Sequence, residues 1–146
     1  MRQRLDAEAS FDAASTIRRE VLVINQILLY LGALFTIAWG VAHLFPTRSV
    51  VNGFGDISQD NKQIITMEWI VEGVCLIFIG LLVAAVTTVD RTGTVSRAVY
   101  WIAFAELNVL LIVSLFTGFK VNFLPFKLCP VIFTTSSILI LLGSLL

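Results

Sequence analysis

Four long apolar segments, separated by short polar connections, limit what this chain can fold into. They cover residues 21–45, 64–89, 98–119 and 129–146. A helix that crosses a bilayer needs about 20 predominantly apolar residues, and the last segment, counted from Pro130, still reaches about 25 Å at about 1.5 Å per residue. Of all residues, 58% are hydrophobic and 14% are charged. Soluble domains carry about 45–50% apolar residues and about 25% charged residues. The sequence therefore predicts an integral membrane protein.

The connections between the segments predict how the helices are arranged. Pro46 ends the first segment, because proline lacks the N–H group that would continue the helix. The longest connection, residues 46–63, is rich in Asn, Asp, Gly and Ser and is predicted to be a structured loop. Short connections make consecutive helices antiparallel, so residues 21–146 are expected to form an all-α, up-down-up-down four-helix transmembrane bundle. Residues 1–20 form a polar segment, typical of a short helix on the membrane surface or of a frayed tail.

The basic residues that flank the segments predict the orientation. Membrane proteins carry more Lys and Arg on the cytoplasmic side. Six such residues lie on the side of the N-terminus and the second connection, and four lie on the other side. The six are Arg2, Arg4, Arg18, Arg19, Arg91 and Arg97, and the four are Arg48, Lys62, Lys120 and Lys127. Both termini are therefore predicted to be cytoplasmic, in a protein of the bacterial inner membrane. The apolar run from Val21 is longer than a signal-peptide core and is expected to be retained.

Charge and cysteine content argue against several functions. Ten Lys and Arg balance ten Asp and Glu, so no net field attracts nucleic acid. Cys75 and Cys129 form no Cys-x-x-Cys pair and are interpreted as packing residues. A single histidine supplies no pair of haem ligands, and the Glu-x-x-His pairs of di-iron bundles do not occur. We therefore predict no nucleic-acid partner, no metal and no cofactor.

Three acidic residues and the single histidine lie within or beside the apolar segments. They are Glu68, Glu72, Glu106 and His43. Ionisable groups at the middle of a membrane helix cost about 2.5–3.5 kcal/mol and often mark functional positions. Glu68 and Glu72 lie one helical turn apart, so their like charges repel, and without a nearby cation at least one is expected to be protonated or hydrogen-bonded. Counted along the helices, His43, Glu68 and Glu72 are expected near the outer mouth of the bundle, with Glu106 at its floor.

These residues have two interpretations at this stage. In the first, they line a pocket that binds a cationic or hydroxyl-bearing ligand, lipid-like or quinone-like, or that relays protons, with a metal ion as the disfavoured occupant. The residues of this pocket are His43, Glu68, Trp69, Glu72 and Glu106. In the second, the acids form hydrogen bonds across helices and fix the register of the bundle. Candidate partners for such bonds are Asn25, Thr36, Tyr100, Asn108 and Ser114.

The first connection contains a second candidate feature. Residues 51–58 carry a Gly-x-Gly pattern, but they lack the third glycine and the lysine of a phosphate-binding loop. We interpret the two glycines as a tight turn that directs Phe54 toward the mouth of the bundle. Phe54 and Asp56 then form a lid over His43 and Glu68, or the segment is an ordinary structured loop.

Size and layout resemble those of a known class. The signature-like sequences are His43-Leu44-Phe45-Pro46 at the end of the first segment and residues 67–73, Met-Glu-Trp-Ile-Val-Glu-Gly, near the start of the second. With four spans, a cytoplasmic start and a polar first loop after a proline, the chain resembles the DoxX-like small four-helix membrane proteins. The resemblance covers the whole chain in size and layout. It implies a small integral membrane protein, such as an accessory subunit in a redox or envelope-stress setting, and it assigns no site residue.

Three functional hypotheses follow. The leading hypothesis is a non-enzymatic accessory or assembly subunit of a membrane complex, or a homo-oligomer, because no complete catalytic constellation occurs. The second is an intramembrane binding protein or enzyme that uses the carboxylate and histidine pocket. The third is a proton-coupled transporter, which in 146 residues requires a dimer to enclose a path. The expected partners are therefore the lipid bilayer, other membrane subunits or further copies of the chain, and a lipid-like ligand.

Overall fold

The computed structural model describes the backbone of residues 2–145 and the side chains of residues 11, 12 and 14–145. Five α-helices account for most of this range, and no strand occurs within it. They are α1 (Arg2–Leu44), α2 (Thr47–Gly53), α3 (Gln59–Asp90), α4 (Thr94–Phe116) and α5 (Leu124–Leu145). A single 3-10 turn, Gly118–Lys120, lies between α4 and α5. The prediction of an all-α protein is confirmed.

Four of the helical segments are long and apolar enough to cross a membrane. They are Ala14–Leu44, Gln59–Asp90, Thr94–Lys120 and Leu124–Leu145. The shortest has 22 residues, which corresponds to about 33 Å of helix and matches the hydrocarbon core of about 30 Å. The chain is therefore a small integral membrane protein built as a four-helix bundle.

The four long helices form a ring in the order α1, α3, α4, α5. Helix α1 packs along both α3 and α5, and α4 packs along α5. The contact between α3 and α4 is the least extensive of the four, although these two helices are consecutive in the chain. Fully buried side chains fill the centre of the ring, among them Leu29, Leu76, Leu107, Phe133 and Ile140.

Glycines bring α1 and α3 into backbone contact. A Cβ atom on Gly40 would lie 2.6 Å from the carbonyl oxygen of Gly73, and one on Gly80 would lie 2.7 Å from the carbonyl oxygen of Ala33. Atoms cannot approach so closely without a shift of the helices. Small residues at a helix crossing allow this packing in membranes, where van der Waals contact drives helix association.

Hydrogen bonds close the α3–α4 hairpin at its turn. The Asp90 carboxylate accepts the backbone N–H groups of Thr92 and Gly93, at 3.2 and 3.1 Å. One turn into the bundle, the hydroxyl groups of Thr87 and Tyr100 are 2.9 Å apart and join the two helices. The contact between α3 and α4 is thus fastened at the turn end.

Helix boundaries differ most from the sequence-based ones in three places. Residues 1–20 were expected to be separate from the first span, but α1 runs without interruption from Arg2 to Leu44. The segment predicted as a loop, residues 46–63, contains α2, and α3 begins at Gln59. Ser58 caps α3 by accepting the Asn61 N–H at 3.2 Å, which satisfies one of the free donors of the first turn. The connection is therefore shorter and more helical than predicted.

The start of α5 is the third difference. Pro130 was placed in the first turn of the last helix, whereas α5 begins at Leu124 and encloses Pro130. Proline removes one backbone N–H donor, a defect that membrane helices tolerate when neighbouring groups compensate. The longer α5 adds Phe126 to the end of the bundle where α2 lies.

Candidate functional site

A cavity of about 440 Å³ opens between α3 and α4, beyond the Thr87–Tyr100 contact and next to α2. Most of its wall comes from α3. The lining residues of this lateral cavity are Val50, Phe54, Ile64, Ile65, Glu68, Trp69, Val71, Glu72, Cys75, Ile79, Glu106, Leu110 and Phe126. Several of them are exposed on the outer surface of the bundle, including Glu68, Cys75 and Glu106. The cavity therefore faces sideways, toward the region that lipid occupies.

The structure brings most of the predicted site residues to this one cavity. Glu68, Trp69, Glu72 and Glu106 all contribute to the lining, as does Phe54 from the predicted lid. Their use in ligand binding stays a prediction. Asp56, the other lid residue, is exposed and is not part of the cavity wall.

His43 lies directly behind the wall. Only 3% of its surface is exposed, and its ring stacks on the Trp69 ring with centroids 4.6 Å apart and planes 25° apart. Its Nε2 atom is 3.5 Å from Oε1 of Glu72. This pair is at ion-pair distance but not in hydrogen-bond geometry, so Nε2 has no hydrogen-bond partner among the described side chains. His43 thus supports two lining residues at once.

Trp69 is fixed by contacts on several sides. Its indole N–H donates to the His43 carbonyl oxygen at 2.5 Å, which satisfies one of the free carbonyls at the end of α1. Its ring meets that of Phe126 at 5.3 Å and 81°, an edge-to-face arrangement. Trp39 meets the His43 ring edge-to-face, with centroids 5.6 Å apart and planes at 74°. The aromatic part of the cavity wall is therefore held in place from behind.

The three carboxylates lie at different depths. Counted from the α3–α4 turn, Glu106 lies about 18 Å and Glu72 about 27 Å along the bundle, and Glu68 lies about 6 Å beyond Glu72. Within the described part of the chain, no three His, Cys, Asp or Glu side chains form a group suited to a metal ion. The acids are therefore distributed along the cavity and do not converge on a point.

The second interpretation, in which the acids fix the register of the bundle, finds no support in the hydrogen bonds. Asn108, Thr36 and Ser114 bond to carbonyl groups of their own helices. Tyr100 reaches Thr87, and the Asn25 Oδ1 atom has no partner among the described residues. None of the five predicted partners forms a hydrogen bond with Glu68, Glu72 or Glu106 among the described side chains, and the polar contact of these acids across helices is the one between Glu72 and His43.

Sequence reasoning missed part of the wall. Cys75 and Ile79 follow Glu72 by three and seven residues, so helical periodicity alone could have placed them on the same face. Cys75 was interpreted as a packing residue, but it is exposed on the cavity, whereas Cys129 is buried as predicted. Phe126 carried no comparable signal, because its position depends on where α5 begins.

A second cavity of about 480 Å³ adjoins the first on the side of α2. Val50, Phe54 and Phe126 line both cavities and separate them. The remaining residues of its wall are Ser49, Gly53, Val121, Asn122 and Phe123. These three shared side chains therefore form the part of the lateral cavity wall that separates it from the second cavity.

Fold and site together define a small integral membrane protein with a lateral, acid-lined cavity. Comparison of the chain with family models, with curated proteins and with solved structures gave no match.

Proposed function

We propose that this protein binds a small amphiphilic molecule, lipid-like or quinone-like, inside the membrane. The observation that carries the proposal is the lateral cavity between α3 and α4, whose wall combines apolar side chains with three carboxylates. Its volume of about 440 Å³ falls within the range of about 300–1,000 Å³ that ligand pockets occupy. An apolar wall with a few polar groups is the usual composition of such pockets.

The exposure of the acidic side chains supports the proposal that a ligand occupies the cavity. Glu68 and Glu106 are exposed on a surface that faces the bilayer. A carboxylate in contact with hydrocarbon is costly unless it is protonated, solvated or paired. An amphiphile in the cavity supplies both an apolar body for the wall and a polar group for the acids.

A second copy of the chain fits this surface less well. A symmetric dimer interface brings the same surface of both copies together. The cavity wall contains no Lys or Arg, so a dimer built on it would add carboxylates to carboxylates. The predicted homo-oligomer, if it forms, is expected to use another face.

The prediction of an accessory or assembly subunit stays a prediction, and so does the resemblance to DoxX-like proteins. A partner helix that places a basic residue in the cavity would satisfy the same acids. The proposal of a small ligand rests on the partial enclosure of the cavity by Val50, Phe54 and Phe126, which leaves less room for a whole helix.

Purification in a mild detergent, followed by mass spectrometry of bound molecules and proteins, tests the proposal. The unmodified protein is compared with Glu68→Gln and Glu72→Gln, which remove cavity charges at nearly constant volume. Asp56→Asn is the matched control, because it removes an exposed carboxylate outside the cavity.

We expect an amphiphile to accompany the unmodified protein and the control and to be depleted in the two cavity variants. A partner protein retained in all four samples, with no small molecule in any of them, would contradict the proposal and favour the accessory subunit.

A further inference from the structure

The lateral cavity has features that select one class of polar group. Resting on the proposed binding function, we propose that the ligand carries an ammonium cation, held at the outer end of the cavity between the Glu68 and Glu72 carboxylates and the rings of Trp69 and Phe126.

The charge of the wall is the first argument. Glu68, Glu72 and Glu106 line the cavity without any Lys or Arg. Among the described side chains, the ion-pair contact of these acids is the one between Glu72 and His43. Two ionised carboxylates one helical turn apart repel each other in a medium of low dielectric constant, so that either one of them is protonated or a cation lies between them. A ligand with a positive group relieves this repulsion, whereas a neutral head group does not.

The aromatic rings are the second argument. Trp69 from α3 and Phe126 from α5 meet at 81°, and Phe54 completes the same end of the cavity. Cations bind to the faces of aromatic rings, most strongly to Trp, and quaternary ammonium groups are recognised in proteins by cages of such rings. Rings and carboxylates occur together at the outer end of the cavity, near Glu68 and Glu72.

His43 links the aromatic and the acidic groups of the cavity wall. It stacks on Trp69 and faces Glu72 through a buried Nε2 atom that has no hydrogen-bond partner. Its position holds the Trp69 ring and the Glu72 carboxylate side by side. We assign His43 as a positioning residue that sets the spacing between the aromatic and the acidic parts of the cage.

The inner part of the cavity suits an apolar chain. Cys75, Ile79 and Leu110 line the wall below Glu72, over about 9 Å of helix between the levels of Glu72 and Glu106. A hydrocarbon tail that leaves the ammonium group extends along these side chains or outward into the bilayer. The ligand class is therefore a cationic amphiphile and not a quinone.

Cys75 provides a reporter for the test. The chain has two cysteines: Cys75 is exposed on the cavity, and Cys129 is buried, so a maleimide is expected to react with Cys75. Labelling is measured in neutral detergent micelles with increasing dodecyltrimethylammonium or dodecanol, which share a tail and differ in charge. A Cys75→Ala, Phe78→Cys double variant is the matched control, because Phe78 is 64% exposed, lies one turn away on α3 and is not part of the cavity wall.

We expect dodecyltrimethylammonium to protect Cys75 from labelling at a concentration about tenfold or more below the concentration of dodecanol that gives the same protection. A desolvated cation–aromatic contact alone is worth about this factor in affinity. The Phe78→Cys site should not be protected. The preference should be reduced in Glu72→Gln and in Glu68→Gln, where the aromatic contact alone remains, and it should be unchanged in Asp56→Asn. Because the two ligands are compared on the unmodified protein, the result does not depend on how well a variant folds.

Two contrary results separate the two proposals. Equal protection of Cys75 by both ligands, with no effect of Glu72→Gln, would overturn the ammonium assignment and leave the binding cavity in place. If neither ligand slows the labelling of Cys75 more than it slows labelling at the Phe78→Cys site, both the ammonium assignment and the binding cavity are overturned.

Discussion

At the scale of single residues, His43 connects two helices through three different groups. Its backbone carbonyl accepts the Trp69 indole N–H, its ring stacks on the same indole, and its Nε2 atom faces Glu72. A histidine at the end of a membrane span is often assigned a chemical role. Here the backbone bond and the stacking show a structural role as well, since they join the end of α1 to α3.

Replacement of Trp69 by Phe tests this role. Trp69→Phe removes the indole N–H that serves the buried His43 carbonyl and retains most of the aromatic surface. We expect the free energy of unfolding to fall by about 1–3 kcal/mol, because the substitution leaves a buried carbonyl without a donor. It is measured by denaturant titration of the purified protein in detergent.

Trp101→Phe is the control for this substitution. Trp101 is 49% exposed and contacts Phe104 of its own helix, so its replacement should change the free energy of unfolding by less than about 0.5 kcal/mol. Equal losses in the two variants would show that the bond to His43 contributes nothing specific.

At the scale of helices, α3 has two unlike contacts. Its contact with α1 is a glycine crossing at backbone distance, whereas its contact with α4 is fastened near the turn and leaves a cavity beyond it. The contact with α1 fixes the position of α3 in the bundle. The contact with α4 leaves one face of α3 exposed. The same helix is thus both the support of the site and most of its wall.

Gly40→Ala tests the tight contact. The added methyl group would lie 2.6 Å from the Gly73 carbonyl oxygen and 2.8 Å from a side-chain carbon of Ile77, so α1 and α3 must separate. Overpacking of this kind costs about 1–3 kcal/mol, measured as loss of unfolding free energy in detergent.

Gly53→Ala is the matched control, because its methyl group would meet nothing within 4 Å. A stability of Gly40→Ala equal to that of Gly53→Ala would contradict the close crossing of α1 and α3.

The helices also show how far sequence reasoning extends. Long apolar segments predicted four spanning helices, and the spacing of Glu68 and Glu72 predicted one shared face, because both signals are local. Helix α2 was not predicted, since its seven residues are too few to show a helical period among turn-forming residues. The contribution of Phe126 to the site was not predictable either, because it depends on the neighbours of α3 in the ring and on a helix that begins before Pro130.

At the scale of the whole molecule, the orientation in the membrane is a prediction that rests on six basic residues against four. The α3–α4 turn around Gly93 and the segment around Gly55 mark opposite sides of the bundle, because α3 runs between them. Reporter domains inserted at these two positions should show the Gly93 side in the cytoplasm and the Gly55 side outside. Gly55 has a φ of 71° and open space around it, so an insertion is expected to be tolerated there. A cytoplasmic reporter at Gly55 would reverse the orientation.

The sideways opening of the cavity also determines which concentration governs its occupancy. A site that opens to water responds to the number of ligand molecules per litre. This cavity opens between α3 and α4, on the side of the bundle where a bilayer would lie, so the proposed amphiphile would reach it by diffusion within a two-dimensional solvent. Occupancy then follows the mole fraction of ligand in the bilayer. Adding empty lipid vesicles at constant total ligand should empty the site by dilution, although neither the protein nor its affinity has changed.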